Sequence, residues 1–186
     1  MENKVRKKVQ TIKEKSNFAQ SQLVYLLNTI DLTPEEKKYA FIIYNMILGG
    51  GSLETKLYHR LRDENSLCYN VLSLYQKYDN LLIIQTAIDN KNVRLASSLI
   101  KKCLKDMLTK VTEEEVQTAV SSVISSIHMA LDQPNSIISL YLFQYIADLD
   151  TTEERIKKFK SITAKDVMHV AKKVAVNTIY VLEGNK

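Results

Sequence analysis

The sequence predicts an α+β domain, a mainly antiparallel sheet with helices packed on one face. Three observations predict it. β-rich segments stand at both ends of the chain, segments with helical apolar spacing fill the middle, and one hairpin signal interrupts them at residues 76–80. Strands at the ends with helices segregated between them suit an antiparallel sheet covered on one side. At 186 residues and 45% apolar content, the chain is read as one domain, 1–186, with a real core.

Residues Val5 to Ile30 read as one or two strands. Val5 and Val9 belong to the first and Gln20 to Leu27 to the second, with a polar turn near Lys15-Ser16-Asn17. Thr33-Pro34-Glu35-Glu36 is a helix start: a threonine cap, proline at the first position and acids in the first turn. One helix is expected from there through Tyr39, Phe41, Ile43 and Ile47, apolar nearly all round and so largely buried, until the run Gly49-Gly50-Gly51 ends it. Ser52 is read as the next cap, with Leu53, Leu57, Tyr58 and Leu61 on the inner side. Leu67–Tyr75 and Leu81–Ile88 form the hairpin. Asn92–Leu108 is helical, with a stripe running from Val93 through Leu95, Ala96, Leu99, Ile100 and Cys103 to Met107. Thr112 followed by Glu113-Glu114-Glu115 is a capping box that opens a long helix to about Leu131. Gln133-Pro134-Asn135 breaks that helix, and Ser136–Ala147 resumes it. Thr151 or Thr152 caps a short helix through Phe159, Thr163 caps another through Val174, and Asn177–Glu183 closes the chain as a strand.

The net charge of +5 suggests nucleic acid until it is located. Met1–Lys15 holds Lys4, Arg6, Lys7, Lys8, Lys13 and Lys15 against Glu2 and Glu14, so it carries +4 and leaves +1 for the rest. Residues 1–15 therefore read as a solvated basic strand or a leader, not a phosphate-binding face. Cys68 and Cys103 are too few and too far apart for a disulfide framework and read as buried thiols. The sequence has no 18-residue apolar run and no apolar secretory core at its start, so the expected setting is cytoplasmic, away from the membrane. A zinc hydrolase needs clustered ligands, but His59, His128 and His169 lie far apart, and no metal site is expected from this chain alone. His128 is expected to be packed or at a boundary, and His169 to face solvent. Ser52 lacks the strand and flanking glycines of a nucleophile elbow, and the glycine run lacks the Lys-Ser/Thr end of a phosphate loop.

What remains is the stretch Asn45–Tyr69. It holds three of the four glycines, which implies a sharp turn or a close backbone approach. Arg62 at a helix end and Tyr69 at a strand start can lean over the same sheet edge. There they could grip peptide carbonyls or a developing oxyanion. The competing reading ties Arg62 to Asp63, Glu64 or Glu54 and makes Tyr69 half-buried packing.

Asn45-Met46-Ile47-Leu48-Gly49-Gly50-Gly51, Leu57 to Glu64 and Ser66-Leu67-Cys68-Tyr69 resemble the "N-x-x-L-G-G-G…L-F-x-x-V-R-E-x-x-G-L-A-Y" segment of insulinase-like zinc peptidases, family M16. Val111 to Val116 is similar to that family's "V-T-x-E-E-L" helix start. The resemblance covers about Gln20 to Leu182 and implies the second, non-zinc domain of such a peptidase, an M16-type α+β fold. It implies that the chain binds peptide substrate through Arg62 and Tyr69 and works against a homologous zinc-bearing domain or subunit. The zinc is then the partner's cofactor, not this chain's, and dimer formation is open. Asp63 stands for the usual Glu, Glu64-Asn65-Ser66 for Lys-x-Gly, and Cys68 for Ala, which leaves the loop's shape open. A catalytically silent assembly domain of the same ancestry is the alternative.

Overall fold

The computed structural model describes residues 8–50, 53–146 and 150–185. Part of the basic leader, residues 1–7, lies outside them, as do Gly51 and Ser52. Among the described residues the strands are β1 (Gln10–Lys15), β2 (Ser21–Thr29), β3 (Val71–Gln76), β4 (Leu81–Ile88) and β5 (Val174–Glu183). The helices are α1 (Pro34–Lys38), α2 (Ala40–Leu48), α3 (Lys56–Tyr58), α4 (Val93–Asp106), α5 (Glu113–Leu131), α6 (Pro134–Ile146), α7 (Thr152–Lys160) and α8 (Ala164–Ala171). The five strands form one sheet in the order β1-β5-β2-β4-β3. All neighbours run antiparallel except β1 and β5, which pair in parallel from Gln10↔Thr178 to Lys15↔Glu183.

Alternation along the strands decides which face is covered. Ser21, Leu23, Tyr25, Leu27 and Thr29 of β2 are buried, as are Leu82, Ile84, Thr86 and Ile88 of β4. Phe41, Ile43 and Tyr44 of α2, Ala96 and Ile100 of α4, Val116 and Val120 of α5, Phe159 of α7 and Val167 and Val170 of α8 join them in the core. The other face, carrying Val24, Leu26, Ile83, Leu72 and Leu74, is not covered by a helix among the described residues: Leu74 is exposed and the rest are half-buried. The expected α+β sandwich with helices on one face is the observed one. The edge strand β1 is solvated along its length, and its charges blunt the edge. Lys13 Nζ pairs with Glu183 Oε1 at 2.8 Å, and the Tyr180 hydroxyl donates to Glu14 at 2.9 Å.

Four expected boundaries move. The helix from Pro34 is two helices, because Tyr39 leaves the helical region at φ −131°, ψ −79°. There its ring packs edge-on against Phe159 at 5.0 Å and its hydroxyl donates to Asp150. Strand β3 starts at Val71 rather than Leu67; Leu67 and Cys68 are buried in the preceding loop instead. α8 ends at Ala171, and β5 starts at Val174, three residues before the expected Asn177. Leu53 and Leu95 are exposed rather than inward, Leu53 because it precedes the helix start at Thr55. His128 is exposed, not packed, while His169 faces solvent as expected. The capping box expected at Thr112 forms, and the expected caps Thr33, Thr151 and Thr163 each make one as well. Among the described residues no helix is long and apolar enough to cross a membrane.

Candidate functional site

The stretch singled out in the sequence folds into a layered unit at the β3 edge of the sheet. α2 ends at Leu48, and the chain passes so close to β3 that no side chain would fit. A Cβ on Gly49 would lie 2.8 Å from Leu57 Cδ1 and 3.0 Å from the Ser73 backbone nitrogen. The Gly49 carbonyl accepts from that nitrogen at 2.8 Å, so the turn is stitched to the outer side of the strand. Asn45 adds a second stitch, its Oδ1 accepting from Ser73 Oγ at 2.6 Å. A Cβ on Gly50 would meet Met46 Cα at 2.8 Å. These two glycines serve close approach. Gly51 and the predicted cap Ser52 lie outside the described residues, and the observed cap is Thr55, whose side chain accepts from Tyr58 N at 3.2 Å.

From that cap the helix runs one turn and then widens. Glu64 N bonds to His59 O at 2.9 Å, an i→i+5 closure, so His59–Asp63 is a π-turn. Such turns add one residue to the helical circuit and re-aim the side chains they carry. Leu57 and Leu61 anchor the inner side, fully buried. The turn closes at Ser66, which sits in the left-handed region at φ 50°. Ser66 N bonds to Arg62 O at 2.8 Å and Leu67 N to Leu61 O at 2.8 Å. Asn65 Nδ2 donates to Arg60 O at 2.7 Å, satisfying a carbonyl that the helix end would leave open.

This geometry brings Arg62 and Tyr69 together. Arg62 Nη1 donates to the Tyr69 carbonyl at 3.0 Å, and Arg62 Cζ lies 5.0 Å from the Tyr69 ring centroid. The buried ring of Tyr58 also lies against it, 4.8 Å away. The guanidinium thus lies within about 5 Å of one buried ring and one free ring, since Tyr69 is 84% exposed. The Tyr69 hydroxyl has no hydrogen-bond partner among the described residues. The local acids are engaged elsewhere: His59 Nδ1 pairs with Asp63 at 2.7 Å, and Arg60 Nε with Glu64 at 3.5 Å. Arg62 forms no ion pair among the described residues, so its charge is balanced by two aromatic faces and a carbonyl. Tyr58 is the member that sequence reasoning placed only as packing. Its signal was its position four residues before an arginine on a helix. Tyr69 itself lies two residues ahead of β3, not within it.

Cys68, between the pair and the sheet, is buried, and burial pushes its thiol up against the smaller opposing effects of Thr86 and Arg62. A cavity of about 490 Å³ runs beside the edge strand, lined by Ile42, Asn45, Met46, Gly50, Leu72 and Leu74 among others. Metal binding finds no support in the described residues, where no group of three or more His, Cys, Asp or Glu side chains could hold an ion. His59 and His169 face Asp63 and Glu36 respectively, on different elements. Zinc does not fit this chain's described side chains.

Comparison with known proteins gives a consistent picture. The family model described as "Peptidase M16 inactive domain" matches residues 2–123. The chain is 22% identical over 149 residues to the "Probable inactive metalloprotease YmfF" of Bacillus subtilis (strain 168), a match covering 79% of this chain and 35% of that protein. Among solved structures, a conserved protein from Enterococcus faecalis V583 superposes with a TM-score of 0.89 at 26% identity, covering 98% of this chain and 44% of that one. A peptidase M16 inactive domain from Pseudomonas fluorescens has the same fold, with a TM-score of 0.79 at 18% identity over 96% of this chain and 44% of that one. The chain therefore spans less than half the length of these relatives.

Proposed function

The chain belongs to the peptidase M16 inactive-domain family, and on that premise we propose that it is the substrate-binding half of a zinc peptidase whose metal sits in a homologous domain or subunit. The single observation that supports this best is the Arg62–Tyr69 pair: a guanidinium that forms no ion pair among the described residues, beside an exposed phenol whose hydroxyl has no partner among them. Arg62 supplies a fork of donors suited to the carbonyls of an extended peptide, and Tyr69 supplies one more on a rigid ring. The cavity along β3, lined from Leu72 onward and not by the pair itself, gives such a peptide room along the strand that follows Tyr69. In this reading Arg62 orients the backbone, and the Tyr69 hydroxyl stabilises charge on the attacked carbonyl. The hydrolytic water and its base belong to the partner.

The test uses a fluorescein-labelled unstructured peptide. Anisotropy should show binding to the chain, weakened about 10-fold or more by Arg62→Ala. Incubation of the chain alone should give no cleavage; chelator-sensitive turnover without a partner would overturn the assignment. With a zinc-bearing M16 partner supplied, Tyr69→Phe should lower kcat more than it raises KM.

A catalytically silent assembly role is the competing reading. Two observations favour it: Arg62 already donates to the Tyr69 carbonyl, and one relative carries the description "probable inactive metalloprotease". It predicts no peptide binding and an Arg62→Ala variant that behaves as wild type.

A further inference from the structure

We propose that the cavity between α2 and β3 is a specificity subsite, where cations gathered around Lys77 hold a carboxylate of the bound peptide. The proposal rests on the substrate reading of the Arg62–Tyr69 pair and adds to it which peptides are preferred. The cavity is walled by Ile42 and Met46 of α2 and by Leu72, Leu74 and Tyr75 of β3. Within that wall Ser73 Oγ donates to Asn45 Oδ1 at 2.6 Å, so these two polar groups satisfy each other. Lys77, just past the end of β3, is the only charged residue among the described residues of the wall. The hydroxyl of Tyr75 is buried without a hydrogen-bond partner among the described residues. Folded proteins leave few such groups unpaired, so the wall retains polar capacity that the chain itself does not use.

Charge fixes the chemistry of what seats there. Lys37 and Lys38 of α1 and Arg155 of α7 stand close enough to Lys77 for their charges to bear on it. Burial first, and then repulsion from Lys38, Arg155 and Lys37, pulls its ammonium below the usual lysine value. Three segments far apart in sequence thus bring four cations to one end of an apolar cavity. Lys38 is engaged within the chain, whereas Lys37, Lys77 and Arg155 form no ion pair among the described residues. The neighbouring acids are held by other groups. Glu35 and Asp150 pair with Lys158 at 3.2 and 3.0 Å, and Glu36 pairs with Lys173 at 2.7 Å. Glu154 accepts from Thr151 N at 2.9 Å, and Asp79 is engaged as well, which leaves Glu153 on the exposed side of α7. The net +5 of the chain has its excess in residues 1–15; this concentration is a separate, local one. Like charges held together against desolvation favour an anion, and the anion that an extended peptide brings is a carboxylate.

The strand sets the spacing. Leu72 to Lys77 spans about 17 Å of extended chain, and Tyr69 stands three residues further back. A peptide that reaches both the pair and Lys77 therefore places its carboxylate roughly six to eight residues from the carbonyl held at Tyr69.

Anisotropy of the full chain with an unstructured Ala/Leu/Gln peptide of about fourteen residues, carrying an uncharged fluorophore, tests this. Three forms are compared: a neutral amidated peptide, the same peptide with one internal Asp, and the neutral peptide with a free C-terminal carboxylate. At least one carboxylate form should bind about 10-fold or more tightly than the neutral one. Which form does so separates an acidic side chain from a chain terminus as the source. Lys77→Gln should erase the preference with unchanged circular dichroism. Lys101→Gln, the same loss of charge on the exposed side of α4, should keep it. Arg62→Ala should weaken all three peptides and leave their ratios unchanged. Equal affinity of the wild-type chain for all three forms overturns the subsite and leaves the substrate reading standing. Failure of every form to bind overturns both, and a preference that survives Lys77→Gln overturns the placement of the carboxylate at this end of the cavity.

Discussion

The Arg62 guanidinium hydrogen-bonds to the backbone of Tyr69 while lying against the Tyr69 ring, at 3.0 Å and 5.0 Å. The same side chain therefore fixes both the loop and the ring, and its own position is set from beneath by Tyr58. A guanidinium over one ring contributes about 0.5–1 kcal/mol at an exposed site and more where water is excluded. Tyr58→Leu removes the fixed ring and should cost about 1–2 kcal/mol of stability. More tellingly, it should shift the Arg62 side-chain NMR resonances out of their ring-current positions. Tyr58→Phe keeps the ring and should leave those resonances in place. Identical Arg62 spectra in both variants would show that Tyr58 does not position the arginine.

Ser66 stands where the resembled segment has glycine, yet it holds glycine's conformation at φ 50°. A side chain there crowds the following carbonyl, at a cost of about 1–2 kcal/mol per non-glycine residue, partly offset by the greater freedom of glycine in the unfolded chain. Ser66→Gly should therefore stabilise the domain by about 0.5–1 kcal/mol in urea unfolding. Ser66→Val should destabilise it by more than that. A Ser66→Gly chain less stable than wild type would mean that the serine side chain contributes something the φ angle does not explain.

Gly49 is constrained by space. Its missing Cβ would press on Leu57 Cδ1 and on the Ser73 backbone. Leu57 is fully buried and Ser73 N is bonded to Gly49 O, so neither neighbour can retreat freely. Gly49→Ala should cost about 1–3 kcal/mol in urea unfolding, as overpacking does elsewhere.

Much of this fold was legible because its signals are local. Thr33, Thr112, Thr151 and Thr163 each precede an acid by three residues, and all four boxes form. The hairpin at residues 76–80 is read from one turn, and Asn80 takes the left-handed conformation there at φ 51°. What stayed hidden depends on distant residues. Tyr39 breaks its helix to meet Phe159 and Asp150, more than a hundred positions away. The parallel pairing of β1 with β5 joins the two ends of the chain. At the candidate site, the motif singled out Arg62 and Tyr69. The π-turn that aims the arginine is set by long-range packing of Leu57 and Leu61, and no residue in His59–Asp63 announces it.

Tyr39 and Asp150 also give the domain an acid-sensitive joint. The Tyr39 hydroxyl and then the Lys158 ammonium, 3.0 Å away, hold the Asp150 carboxyl below the usual carboxylate range. Burial and the Asp150 charge in turn push the Tyr39 phenol up, so it remains the proton donor throughout the stable pH range. A carboxyl more acidic folded than unfolded favours the folded state while it is ionised. That contribution is complete above the unfolded value of about 3.9 and is lost as pH falls through the lower folded value. Thermal unfolding followed from about pH 5 to pH 2 should therefore fall less steeply in Asp150→Asn than in wild type. In the same range, Tyr39→Phe removes the largest cause of the shift, and the Asp150 carboxyl carbon should then titrate at higher pH by NMR. If that titration does not move, the hydroxyl is not what holds the carboxylate, and Lys158 must hold it alone.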